Sequence, residues 1–76
     1  MTKELLFVEF ELLKTGLENY YAAIDREDGM EENEKKKFDK RFMDCEKKLH
    51  FPIEENEFME IKKEYDEIVK DFNNAR

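Results

Sequence analysis

Apolar residues recur along this chain in three runs at helical spacing. The first is Leu6, Phe10, Leu13, Leu17, Tyr20 and Ile24; the second Phe38, Phe42, Cys45 and Leu49; the third Phe58, Ile61, Tyr65, Ile68 and Phe72. Steps of three and four place each set on one side of an α-helix, so each needs an apolar surface to pack against. The rival pattern is the five-residue alternation from Val8 to Leu12, which suits a strand. The helical pattern runs unbroken past it to Ile24, and no second strand candidate exists to pair with it.

The punctuation between the runs predicts where each helix stops. Thr2 reads as the first cap, its hydroxyl accepting from the next turn's free amides, with Glu4 near the positive helix end. Asp28-Gly29 reads as a stop, because glycine tolerates the left-handed conformation that ends helices. The second helix opens among acids between Glu31 and Glu34 and closes on Lys47 and Lys48, both suited to the helix dipole. At His50-Phe51-Pro52 the residue before proline is pushed out of helical geometry, and Pro52 suits the first turn of the third helix. Asn73 to Arg76 are expected to fray. The expected fold is therefore all-α, one domain over residues 1–76, a small three-helix bundle with helices near 2–26, 32–49 and 53–72.

Two features of the first helix complicate that simple picture. Leu5, Val8, Leu12, Gly16 and Ala23 form a second apolar face, expected to meet a second neighbour: another helix of the bundle, or the same helix of a partner subunit. Glu9 falls between the two faces and is expected to reach a cation of the second helix or to bend out to solvent. Gly16 costs about 1 kcal/mol relative to alanine within a helix, which points to a close helix approach or a kink.

Composition sharpens the class. A chain of 76 residues has room for one thin core. Charged residues make up 46% of it, yet aromatics reach 13%, too many for a disordered chain. The net charge of −7 is unevenly spread. Residues 1–34 carry ten acids and three bases, residues 35–50 three acids and seven bases, and residues 51–76 eight acids and four bases. A basic helix between acidic ones predicts complementary pairing across the bundle, or a charged face aimed at a partner. The sequence shows neither a signal peptide nor a membrane span, and the expected location is cytoplasmic.

Catalytic chemistry finds little to work with. The one cysteine, Cys45, sits on the core side of its stripe and reads as a buried reduced thiol. The one histidine, His50, lies at a helix end, five residues from Cys45 and pointing away from it. Zinc needs more ligands than these. The glutamate-histidine pairs of helix-bundle di-iron sites are missing. Asp25-Arg26-Glu27-Asp28-Gly29 has the look of a calcium loop, but Ile24 and Arg26 fall on ligand positions and Lys35 replaces the closing glutamate. Gly16 and Gly29 are too isolated for a phosphate loop. The reading is a non-enzyme with no metal and no cofactor. Lys35 to Lys37, with Lys40 and Arg41, form a basic run, but the acidic remainder argues against direct nucleic-acid binding.

Binding features remain. Phe7, Met43 and Met59 point away from the core stripes, one on each helix, and Tyr21 stands beside Tyr20 at a stripe edge. Asp25 to Glu34 holds six carboxylates in ten residues. The candidate partner surface is thus Phe7, Glu11, Glu18, Tyr21, Asp25, Glu27, Asp28, Glu31, Glu32, Met43 and Met59. Closely spaced carboxylates can imitate a phosphate row and occupy a basic groove. In size and charge the chain resembles small acidic inhibitors encoded by phages and mobile elements. The expected function is a protein-binding module that modulates or inhibits a partner with a basic surface, such as a nucleic-acid-handling protein met through a phosphate-mimicking acidic surface. The alternative is a structural homodimer joined through the first helix.

Overall fold

The computed structural model covers residues 1–76 and consists of three helices with no strand: α1 Lys3–Asp25, α2 Glu32–Lys47 and α3 Glu55–Ala75. Contacts along the bundle fix its directions. The Met1 amino group meets Glu55, Gly16 faces Tyr65, and Glu27 meets Arg76, so α1 and α3 run parallel. Phe38 meets Phe72, Cys45 meets Ile61 and Lys48 meets Glu64, so α2 runs antiparallel to α3. The product is a three-helix bundle shaped as a rod of 41 × 19 × 17 Å.

The three stripes build its core. Phe10, Leu13, Leu17 and Ile24 of α1 pack with Phe38, Phe42 and Cys45 of α2 and Phe58, Ile61, Ile68 and Phe72 of α3, all buried. Leu6, Tyr20, Leu49 and Tyr65 flank it, half-buried. Aromatic rings run through its middle: Tyr20 stacks on Phe42 at 5.2 Å, and Phe72 meets Phe38 edge-on at 5.5 Å. Each such pair adds about 0.5–1.5 kcal/mol beyond its buried area. The interior is thin nonetheless. An accessible surface of 5470 Å² exceeds the roughly 5000 Å² typical of a compact monomer of 9.3 kDa.

Thr2 caps α1 as its sequence implies, its Oγ1 accepting from the Leu5 amide at 3.1 Å. Four other details depart from the sequence-based expectation. Gly29 does not take a left-handed conformation. Helix α1 instead ends in a tightened turn, with the Glu27 amide donating to Ile24 O at 3.1 Å, and burial of the Met30 side chain draws the following loop onto the core. Pro52 lies outside α3, in a loop with a cis Phe51–Pro52 peptide; Ile53 is buried there, so the helix starts only after Glu54. Residues 73–75 remain helical rather than frayed: the Arg76 guanidinium lies over the Phe72 ring at 5.5 Å and meets Glu27 at 3.5 Å.

Gly16 makes room for the tip of the Tyr65 side chain, which reaches across from α3. A Cβ there would stand 2.5 Å from Tyr65 Oη and 3.2 Å from Cζ. The fourth departure matters most for function. Leu5, Val8 and Leu12 do not meet another helix; all three are exposed. At about 100° per residue they centre about 130° away from the core stripe, beyond the arc that two neighbours cover.

Candidate functional site

Charge pairing divides the bundle unevenly. Arg41 of α2 reaches Asp71 at 2.9 Å and Lys48, at the C-cap of α2, reaches Glu64 at 2.9 Å, so two cations of the basic segment pair across to α3. Lys40–Asp44 and Lys62–Asp66 pair within their own helices. Nothing comparable links α1 to α2. Among the ten acids of residues 1–34, Glu27 alone has a cation partner, Arg76. Glu9 is half-buried and pairs with no cation of α2, so the first of its two expected arrangements does not form. The complementarity expected between the helices therefore holds for α2 and α3 and fails for α1.

The candidate surface residues fall into separate places. Phe7, Glu11, Glu18 and Asp25, spaced four, seven and seven apart, share one outward face of α1. Asp28 and Glu31 continue it along the exposed loop, and Glu32 opens α2. Glu27 turns inward enough to be half-buried beside Arg76. Met43 and Met59 are exposed on α2 and α3, whose outward faces diverge from that of α1. Met59 lines a shallow groove with Lys62, Lys63, Asp66, Glu67 and Lys70. These two methionines thus do not join Phe7 in one patch.

Tyr21 behaves differently from Phe7. Its ring packs edge-on to Phe42 at 6.5 Å, and its hydroxyl is enclosed without a hydrogen-bond partner. Burial, then the carboxylates of Glu46 and Asp39, pushes the phenol up to about 12. The Asp39 carboxyl is itself raised above its ordinary value, first by burial and then by Asp25 and Glu32 across the α1–α2 corner. That corner gathers like charge, and none of Asp25, Glu32 or Asp39 forms an ion pair.

The free aromatic is Phe7, which meets Phe51 edge-on at 5.3 Å; Phe51 in turn meets Phe10 at 5.5 Å. Phe51 escaped the sequence reading because it lies in a loop with no periodicity to read. The structure seats it against the N-terminal half of α1. There Lys3, Glu4, Phe7, Val8 and Phe51 border one shallow groove. Beside it, Met1, Leu6, Phe51, Pro52 and Ile53 border another of about 500 Å³. Met1, Leu5, Phe7, Val8, Leu12 and Phe51 remain between 46% and 61% exposed, six large apolar residues around the N-terminal half of α1. Contiguous exposure of this kind marks an interaction surface more often than isolated apolar residues do.

The reactive groups stay apart. Cys45 is fully buried, its thiol donating weakly to Ile61 O at 3.7 Å, and burial followed by Glu64 pushes it up to about 11. His50 is exposed, its Nδ1 3.1 Å from Pro52 O and its Nε2 3.9 Å from Glu57. Neither touches the other. The structure brings together no group of three or more histidine, cysteine or carboxylate side chains able to hold a metal ion. No helix is long and apolar enough to cross a membrane. Compared with protein-family models, curated proteins and solved structures, the chain matches none.

Proposed function

We propose that this chain is a non-enzymatic binding module that grips a partner protein through the acidic outer side of α1 and the loop after it, and modulates or inhibits that partner. One observation carries the reading: the ten acids of residues 1–34 form a single ion pair, Glu27 with Arg76, while Glu64 and Asp71 of α3 pair with Lys48 and Arg41. Unpaired carboxylates aligned on one face speed encounter with a basic surface and orient it. Phe7, exposed among them, supplies an aromatic anchor of the kind that dominates interface energies. A protein that handles nucleic acid offers a suitable basic groove, which the row of Glu11, Glu18 and Asp25 would occupy in place of phosphates.

The test is affinity capture from host lysate at low and moderate salt. It compares the native chain with a Glu11→Gln/Glu18→Gln/Asp25→Asn variant. The reading predicts a basic protein retained by the native chain at low salt, released at moderate salt, and not retained by the variant. Equal retention by both proteins, or retention that ignores salt, would refute it.

A further inference from the structure

The N-terminal half of α1 presents a more specific chemistry than acidity alone. Around its outer circumference, Phe7 and the adjoining Phe51 lie on one side, and Val8, Leu12 and Leu5 on the other. Glu4 and Glu11 project between these two apolar edges, both exposed and neither ion-paired. Carboxylates set inside an apolar patch make an uncovered face demanding. Whatever covers it must supply apolar contact and opposite charge together, because a carboxylate buried without a partner is costly.

We infer that this face docks a cationic amphipathic helix of the partner protein, its apolar side chains meeting Leu5, Val8, Leu12 and Phe7 and its lysines or arginines meeting Glu4 and Glu11. This rests on the binding-module reading and locates the contact at the N-terminal half of α1 rather than along the loop. Arginine suits the face well, since its stem covers apolar surface while its planar fork pairs with a carboxylate. A second copy of this chain suits it poorly. Glu4 and Glu11 lie in the middle of the face, so apposing two α1 helices, parallel or antiparallel, brings carboxylate against carboxylate across the seam.

The probe is a synthetic peptide helix with leucine at i, i+3 and i+7 and lysines along both flanks, followed by fluorescence anisotropy as the native protein is titrated in. Its counterpart carries glutamate in place of every lysine. The lysine peptide is expected to bind and the glutamate peptide not to. Glu4→Gln/Glu11→Gln and Leu5→Ser/Leu12→Ser should each weaken binding about tenfold with helicity unchanged, since all four side chains are exposed. A control of equal charge, Glu60→Gln/Glu67→Gln, should bind like the native chain. If the control weakens binding as much as Glu4→Gln/Glu11→Gln, the attraction is diffuse and the site is wrong. If Asp25→Asn/Asp28→Asn weakens it while Glu4→Gln/Glu11→Gln does not, the site is wrong but the acidic-module reading stands. If no carboxylate variant matters, both fail. A dimer in sedimentation that Leu5→Ser/Leu12→Ser abolishes would assign the face to a second copy and overturn the inference.

Discussion

Replacing Gly16 by alanine opposes two effects whose balance the structure decides. In an open helix the change stabilises by about 1 kcal/mol, because glycine has more backbone freedom to lose on folding. Here the new methyl would stand 2.5 Å from Tyr65 Oη and 3.2 Å from Cζ. Tyr65 cannot swing freely, since its ring meets Tyr20 at 6.0 Å and Phe42 at 6.2 Å. Overpacking of this sort costs about 1–3 kcal/mol, so Gly16→Ala should destabilise by about 1 kcal/mol net. Removing the hydroxyl with Tyr65→Phe takes away the closest clash. In that background the same Gly16→Ala change should become neutral or stabilising, a coupling of about 1 kcal/mol or more. Urea denaturation followed by far-ultraviolet circular dichroism measures all four corners of the cycle. Stabilisation by the full propensity gain in the native background would refute the contact of Tyr65 with Gly16.

Other parts of the account are equally exposed to measurement. Met30→Ala should cost about 2–3 kcal/mol despite its place in a loop, because its side chain fills the core; a loss near zero in the same urea assay would show the loop detached. Asp39→Asn should stabilise the neutral-pH protein by roughly half a kcal/mol, a modest figure for a partly solvated group. The sign follows from a folded-state carboxyl raised above its unfolded value: the penalty is complete at neutral pH and fades as pH falls through the carboxylate range. The melting difference between variant and native chain should therefore close in acid, and a difference that widens there would contradict the assignment. Cys45, buried with its thiol pushed up to about 11, should react with a disulfide reagent at least about a hundredfold more slowly than in urea. Prompt reaction of the native protein would place the thiol outside the core.

The sequence made the helices and the core legible because both follow from local periodicity. Phe10, Leu13 and Leu17, or Phe58, Ile61 and Ile68, announce their shared side by spacing alone, and burial places them there. Met30, Phe51 and Ile53 carry no such signal, since a loop residue is buried by the path the chain takes between helices. The stop at the end of α1 was visible but its cause was not. Glycine permits a left-handed turn without requiring one, and here the pull of Met30 decides. For the candidate surface, the alignment of Phe7, Glu11, Glu18 and Asp25 was readable, whereas the absence of ion pairs between them and α2 depends on which helix the cations of α2 face. The outer stripe of Leu5, Val8 and Leu12 was seen, but not that it lies beyond reach of both neighbours. Its angle from the core stripe and the position of Glu9 between the two were the available clues.

The most direct test of the central claim is a methyl and aromatic nuclear magnetic resonance titration of the native protein with the lysine-flanked peptide. The account predicts shift changes centred on the methyls of Leu5, Val8 and Leu12 and the rings of Phe7 and Phe51, with the buried methyls of Leu17 and Ile68 almost unmoved. Changes centred instead on the groove beside Met59 would contradict it, and changes centred on the loop around Asp28 would contradict docking at the N-terminal half of α1.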